Sequence, residues 1–261
     1  MTPVTRRALG TAALAVGLLV AGCGGSEKAP ATAPPLSGTV TVLAASSLSE
    51  SFTALGHRFE ADHPGLTVTF NFGASSSLAR QLIDGAPGDV LATADEITLG
   101  QALSADAVGA PAVFARNRLA IVTRPGNPEA IRGLADLARP GLVVVLCARE
   151  VPCGRFAVEA LAKAGVTVEA ASLEENVKAV LAKVTLGEAD AGIVYVTDVA
   201  AARDEIAGVT IADGQNVVAA YPVAVATDAA NPAGARAWVD FVLGPTGQAI
   251  LSSFGFAPAG P

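Results

Sequence analysis

Short Val-, Leu- and Ala-rich runs alternate along the chain with longer stretches whose apolar residues recur every three or four positions, so strands alternate with amphipathic helices. Residues 39–45 (TVTVLAA) read as a strand, after which Leu48, Phe52, Leu55 and Phe59 share one helical face. Ser47 and Glu50 have the spacing of a capping box, which places the start of that helix at the serines. His63-Pro64-Gly65 ends it, and residues 66–72 (LTVTFNF) make a second strand. Gly73-Ala74-Ser75-Ser76-Ser77 then opens a helix over 78–84, followed by a strand over 89–93 and a helix over 95–105. Further strands are predicted over 118–124, 142–146, 191–195 and 221–227, and further helices over 152–163, 177–186, 232–243 and 246–254. Such alternation predicts an α/β protein with mostly parallel sheets. The unbroken strands at 118–124 and 221–227 fit two α/β units joined by two crossing segments, which divides the chain into 39–117, 118–222 and a return over 223–261.

Three places repeat one design, a strand or tight loop ending in small residues and followed at once by a helix start. They are Ala45-Ser46-Ser47, Gly73-Ala74-Ser75-Ser76 and Val151-Pro152-Cys153-Gly154. A helix start leaves backbone N–H groups unpaired and carries the positive end of the helix dipole, so it suits an anion. In α/β sheets ligands collect beyond the carboxyl ends of strands, where these turns lie. Taken singly, a serine there serves equally as a plain N-cap.

Composition narrows the possibilities. Hydrophobic residues at 51 % and charged residues at 16 % mark a globular chain. The net charge of −7 argues against a nucleic-acid partner and repels anions at long range, so any anion site must work through local, directed donors. No Asp, Glu, His or Cys cluster has the spacing of a cation site. A serine hydrolase would need a base and an orienting acid, yet the chain lacks a G-x-S-x-G elbow and its two histidines, His57 and His63, lie around one helix.

The amino terminus sets the compartment. Arg6 and Arg7 precede a short apolar run over 8–21, the layout of a signal peptide over 1–22 and too short for a membrane span. Val20-Ala21-Gly22-Cys23 resembles a bacterial lipobox, which makes Cys23 the acylated first residue of an extracytoplasmic lipoprotein held at the cell membrane. The run Thr5-Arg6-Arg7-Ala8-Leu9 also hints at twin-arginine export, and residues 23–38 read as a Pro-rich tether. Cys147 and Cys153, six residues apart outside the cytoplasm, favour a disulfide over a redox or metal pair.

The segments LAASSLSESF, FGASSSLARQLIDGAPGDVLATAD, VPCGRFAVEAL, ENVKAVLAKVTLGEADAGIVYVTD and YPVAVAT closely resemble, in the same order, the molybdate-binding proteins of bacterial ABC transporters. The resemblance implies a two-lobed fold of the type II periplasmic-binding-protein kind, with a hinge of two crossing segments. It implies no catalysis and no cofactor; the ligand is molybdate or tungstate, the partner a transporter permease, and the working form a monomer. It also assigns an uncharged oxyanion cage. Ser47 and Ser75 give hydroxyl and backbone donors, Cys153 and Val177 give backbone N–H groups, and Tyr195 gives its hydroxyl. Family members often carry Ala where this chain has Cys153, a change a backbone donor tolerates. One local ambiguity bears on Val177, because Ser172 and Glu175 also have capping-box spacing and would bury its amide, whereas a start at Asn176 leaves it free. Receptors for sulfate, thiosulfate or phosphate use similar helix ends and stay open as alternatives, as does an anchored sensor without a transporter.

Overall fold

The computed structural model describes residues 36–260. The expected signal peptide, Cys23 and the expected tether as far as residue 35 lie outside the described residues. The first strand, β1 (Gly38–Ala45), alternates its side chains between two faces: Val40, Val42 and Ala44 enter one apolar cluster and Leu43 the other. A short 3-10 turn at Ser46–Leu48 leads into α1 (Ser49–Asp62). There follow β2 (Leu66–Gly73), α2 (Ser75–Ile83), β3 (Val90–Ala92), α3 (Glu96–Ser104) and the long β4 (Ala112–Thr123). The chain continues through β5 (Val144–Cys147), α4 (Pro152–Ala164), β6 (Ser172–Glu174), α5 (Val177–Thr185), β7 (Ala191–Tyr195), α6 (Val196–Ala201) and β8 (Ala207–Thr210). It closes with β9 (Val218–Val225), α7 (Pro232–Leu243), α8 (Pro245–Ser253) and β10 (Ala257–Pro258).

The strands are ordered β2-β1-β3-β9-β4-β7-β5-β6, with β8 and β10 also paired to β4. β4 holds two half-sheets together, because Ala112–Arg118 pair with β9 and Leu119–Thr123 pair with β7. The sheet is mixed. Pairs β1–β2, β1–β3, β5–β6 and β5–β7 are parallel, as strand–helix alternation requires. The ladders of β4 and β9 are antiparallel, because these are the strands that carry the chain out of one half and back. Short elements with little apolar pattern of their own, β6, β8, α6 and β10, have no counterpart in the sequence reading.

Helices cover both faces of the first half. On one face Trp238 of α7, fully buried, meets Phe59 of α1 edge-on at 5.3 Å and Phe52 at 5.7 Å. On the other, Leu78 and Leu82 of α2 and Leu99 of α3 close over Leu43 and Leu91. In the second half α5 lies directly on the sheet at Gly192, where an added Cβ would stand 2.5 Å from Val180. The effect of this packing is to bring the carboxyl ends of the parallel strands of both halves around one point.

Candidate functional site

Each parallel strand delivers its next few residues to the same cavity. β1 leads to Ser46 and Ser47, β2 to Ala74 and Ser75, and β3 to Ala94. From the second half β5 leads to Val151, Pro152 and Cys153, β6 to Asn176 and Val177, and β7 ends on Tyr195. The cavity is narrow, with about 10 Å³ open to the centre of a water-sized sphere. All five residues assigned from sequence line it, and no side chain in its wall carries a formal charge.

The donors differ in how the fold presents them. Ser75 is the first residue of α2, and its Oγ accepts the Ala94 N–H at 3.1 Å. Cys153 follows Pro152 in the first turn of α4, where an N–H has no carbonyl within the helix to meet. Its side chain is bonded to Cys147, with the Cα atoms 5.7 Å apart. Gly154 is required here: an added Cβ would fall 1.9 Å from the Ala148 carbonyl oxygen. Val177 opens α5 with Asn176 as N-cap, whose Oδ1 accepts the Ala179 N–H at 3.1 Å. The alternative start at Ser172 is excluded because Ser172–Glu174 form β6, with Ser172 Oγ donating to Glu174 instead.

Ser47 corrects one expectation. It sits in the 3-10 turn, α1 begins two residues later, and no side chain caps it. The capping box fails because both its members are engaged elsewhere. Ser47 Oγ lies 2.9 Å from the Tyr221 hydroxyl, and both Glu50 oxygens take bonds from Lys178 Nζ at 2.9 Å. Tyr195 is 1 % exposed, and its hydroxyl finds no hydrogen-bond partner among the described residues. Burial pushes its pKa well above the ordinary value, so it stays a neutral donor.

Charges stand just outside the wall. Arg155 of α4 reaches Asp95, the N-cap of α3, with Nε 3.0 Å from Oδ2, and also gives a bond to Thr98 Oγ1 at 2.7 Å. Lys178 of α5 sits between Glu50 of α1 and the fully buried Asp198 of α6, at 2.9 Å from each. Burial raises the Asp198 pKa against the pull of Lys178. Burial also opposes the Lys178 ammonium, but the two carboxylates outweigh it and hold its pKa above the ordinary value. Both ion-pair groups join the two half-sheets beside the cavity. They are absent from the sequence reading, although for the first pair the opposite charges of Arg155, directly after VPCG, and Asp95, at the end of ATAD, were a usable signal.

His57 is exposed, and His63 Nδ1 lies 2.9 Å from the Phe59 carbonyl at the end of α1. Among the described residues no group of three or more His, Cys, Asp or Glu is placed to hold a metal ion, and no helix is long and apolar enough to cross a membrane.

Comparison with known proteins places this architecture. Residues 40–257 match the family model of the bacterial extracellular solute-binding proteins. The molybdate-binding protein ModA of Mycobacterium tuberculosis is 41 % identical over 246 residues, which cover 92 % of this chain and 94 % of that protein. Among solved structures, the periplasmic molybdate-binding protein of Azotobacter vinelandii aligns with a TM-score of 0.72 at 19 % identity, covering 84 % of this chain and 98 % of that one. The sulfate-binding protein SubI of M. tuberculosis aligns with a TM-score of 0.74 at 21 % identity, covering 85 % and 88 %. At those identities the structures speak for the fold alone, the two-lobed α/β fold of periplasmic binding proteins, while the 41 % relative carries the narrower kinship. The chain belongs to the bacterial extracellular solute-binding proteins, in the family of the molybdate-binding proteins, and is a binding protein and not an enzyme.

Proposed function

We propose that the protein captures molybdate, and tungstate with it, outside the cytoplasm and delivers it to the permease of an ABC transporter. The observation that carries this reading is an uncharged cavity walled by donors, with the buried Tyr195 hydroxyl making no hydrogen bond among the described residues. The ligating groups are Ser47, Ser75 and Tyr195 through hydroxyls, and Cys153 and Val177 through backbone N–H groups. Molybdate at neutral pH is fully deprotonated and only accepts hydrogen bonds, so a cage of donors leaves nothing unpaired. Phosphate carries a proton that such a cage cannot receive, and the unmet group disfavours it. Sulfate shares molybdate's bonding pattern and differs in size, so the cavity's dimensions must reject it.

Capture proceeds by closure of two lobes. The change of partners along β4 between Arg118 and Leu119 supports a hinge there. We put the return crossing beside the start of β9, whose Val218 pairs with Arg118 of β4. The protein works as a monomer, tethered by a lipid on Cys23; incorporation of labelled palmitate in cells, lost on Cys23→Ala, tests the anchor.

A thermal melt of the purified protein with molybdate, tungstate, sulfate or phosphate tests the ligand. At 100 times its dissociation constant a ligand adds about 2.7 kcal/mol, which raises Tm by roughly 5 to 10 °C for a chain of this size. Stabilisation by molybdate and tungstate alone is expected. Stabilisation by sulfate or phosphate instead would replace the ligand and leave the fold standing.

A further inference from the structure

Whether a serine hydroxyl donates to a ligand depends on where its single proton is sent, and near Ser47 the hydrogen-bond directions can be followed from an unambiguous start. The Arg118 backbone N–H can only donate, and it meets Asn117 Oδ1 at 2.9 Å. The other end of the Asn117 amide is therefore its nitrogen, which only donates. It gives one proton to Thr197 Oγ1 at 2.9 Å and faces the Tyr221 hydroxyl at 3.5 Å. Tyr221 cannot send its proton back toward that nitrogen. Ser47 Oγ, 2.9 Å away, is the acceptor at hydrogen-bond distance, and the Tyr195 hydroxyl is the other oxygen that faces Tyr221.

Tyr221 is fully buried and Ser47 is 4 % exposed, so direction has an energetic consequence. Were Ser47 the donor, the phenolic proton would have only the Tyr195 oxygen to turn to, and without that contact it would stay unpaired in the interior at a cost of about 1–3 kcal/mol. With Tyr221 as donor the phenolic proton is paired, and the Ser47 proton is turned into the cavity that Ser47 lines, where a bound anion can accept it. Ser75 is oriented in the same sense by a different device, since its Oγ already accepts the Ala94 N–H.

We infer that Asn117 and Tyr221 are positioning residues that fix the polarity of Ser47, so that the site presents donors only and discriminates against protonated oxyanions. This rests on the reading of the cavity as an oxyanion cage. It also ties selectivity to β4 and β9, the two strands that join the halves, because Asn117 belongs to one and Tyr221 to the other.

A double-mutant cycle tests it. Molybdate affinity is measured by calorimetry for the full chain and for Tyr221→Phe, Ser47→Ala and the double variant, with phosphate competition in each. Phe keeps the edge-on contacts with Phe114 and Phe256, and a retained cooperative melt verifies folding. Tyr221→Phe is expected to weaken molybdate about fivefold to tenfold and to narrow the molybdate-to-phosphate ratio, because the freed Ser47 hydroxyl can now turn and accept. In the Ser47→Ala background the same change should do nothing beyond about twofold, since the group it orients is gone. Equal losses in both backgrounds would overturn the relay and leave the cage intact. If Ser47→Ala itself binds like the unaltered protein, the assignment of Ser47 to the cage falls and the relay with it.

Discussion

Arg155 Nε stands 3.0 Å from Asp95 Oδ2, and the pair bridges the two half-sheets two residues from Cys153 and one from Ala94. Asp95 is 3 % exposed and is held in place as the cap of α3 through the Thr98 N–H at 2.9 Å. Arg155 is fixed on its own side by the Glu150 carbonyl at 2.7 Å. A bridge so placed strengthens the state in which the halves meet.

Arg155→Ala should therefore act mainly on the liganded protein. A tenfold weakening of molybdate is the expected order, about 1.4 kcal/mol, with a smaller effect on the melt of the free protein. Stopped-flow measurement should place the loss in faster release, since closure governs escape. Equal destabilisation of free and bound forms would show that the pair supports folding and not closure.

Tyr195→Phe and Ser75→Ala separate ligand contacts from structural ones. The Tyr195 hydroxyl makes no hydrogen bond among the described residues, so its removal should leave the free protein as stable as before or slightly more so. Molybdate should bind about 10- to 100-fold more weakly, the loss of one hydrogen bond to a charged group at about 1.5–3 kcal/mol. Ser75→Ala should cost a similar factor in affinity and, in addition, some stability, because it orphans the buried Ala94 N–H. Unchanged affinity in both variants would remove these residues from the site.

The parts of this site legible in the sequence are those fixed by local rules. The helix starts at Ser75 and Pro152 and the buried strand ending at Tyr195 follow from residue spacing within a dozen positions, whereas spacing alone left the start of α5 open between Ser172 and Asn176. What escaped the sequence depends on partners far along the chain. The Ser47–Glu50 box looked complete in isolation, but Tyr221 and Lys178, each more than a hundred residues away, claim its two members. The same holds for the mixed pairing of the sheet, since nothing local to 112–118 or 218–225 says that these strands lie antiparallel to each other.

The loop carrying Cys153 separates two roles of one residue. Replacing Cys147 and Cys153 together by Ala removes the cross-link but leaves the backbone N–H. Affinity should fall no more than a few-fold, while stability drops by about 2 kcal/mol from the freed loop entropy. Gly154→Ala should do the reverse of a mild change. Its Cβ would meet the Ala148 carbonyl at 1.9 Å, backbone against side chain, so the first turn of α4 must move and take the Cys153 donor with it. Loss of binding in Gly154→Ala beside near-normal binding in the double Cys variant would establish that backbone position, and not the thiol, is what the ligand uses; the opposite pattern would assign the contact to sulfur.

Dependence on pH gives the most general test of an uncharged cage. None of the five donors titrates between about pH 6 and pH 9: two are aliphatic hydroxyls, two are backbone amides, and Tyr195 is a phenol pushed by burial well above its ordinary 10.0. Molybdate affinity is thus expected to be flat across that window. Stability has a different limit. Burial raises the pKa of Tyr195 and Tyr221, and for Lys178 the Asp198 and Glu50 carboxylates outweigh burial and raise it too. A group whose pKa is higher folded than unfolded contributes stability that is complete below the unfolded value and lost as pH rises past it. With ordinary values of 10.0 for the phenols and 10.5 for the lysine, the melting temperature should hold to about pH 9 and fall beyond it. Calorimetric titrations at half-unit steps, paired with melts at the same pH, check both statements. A step in affinity within the flat window would mean that a titrating group touches the ligand, and the uncharged cage would have to be abandoned.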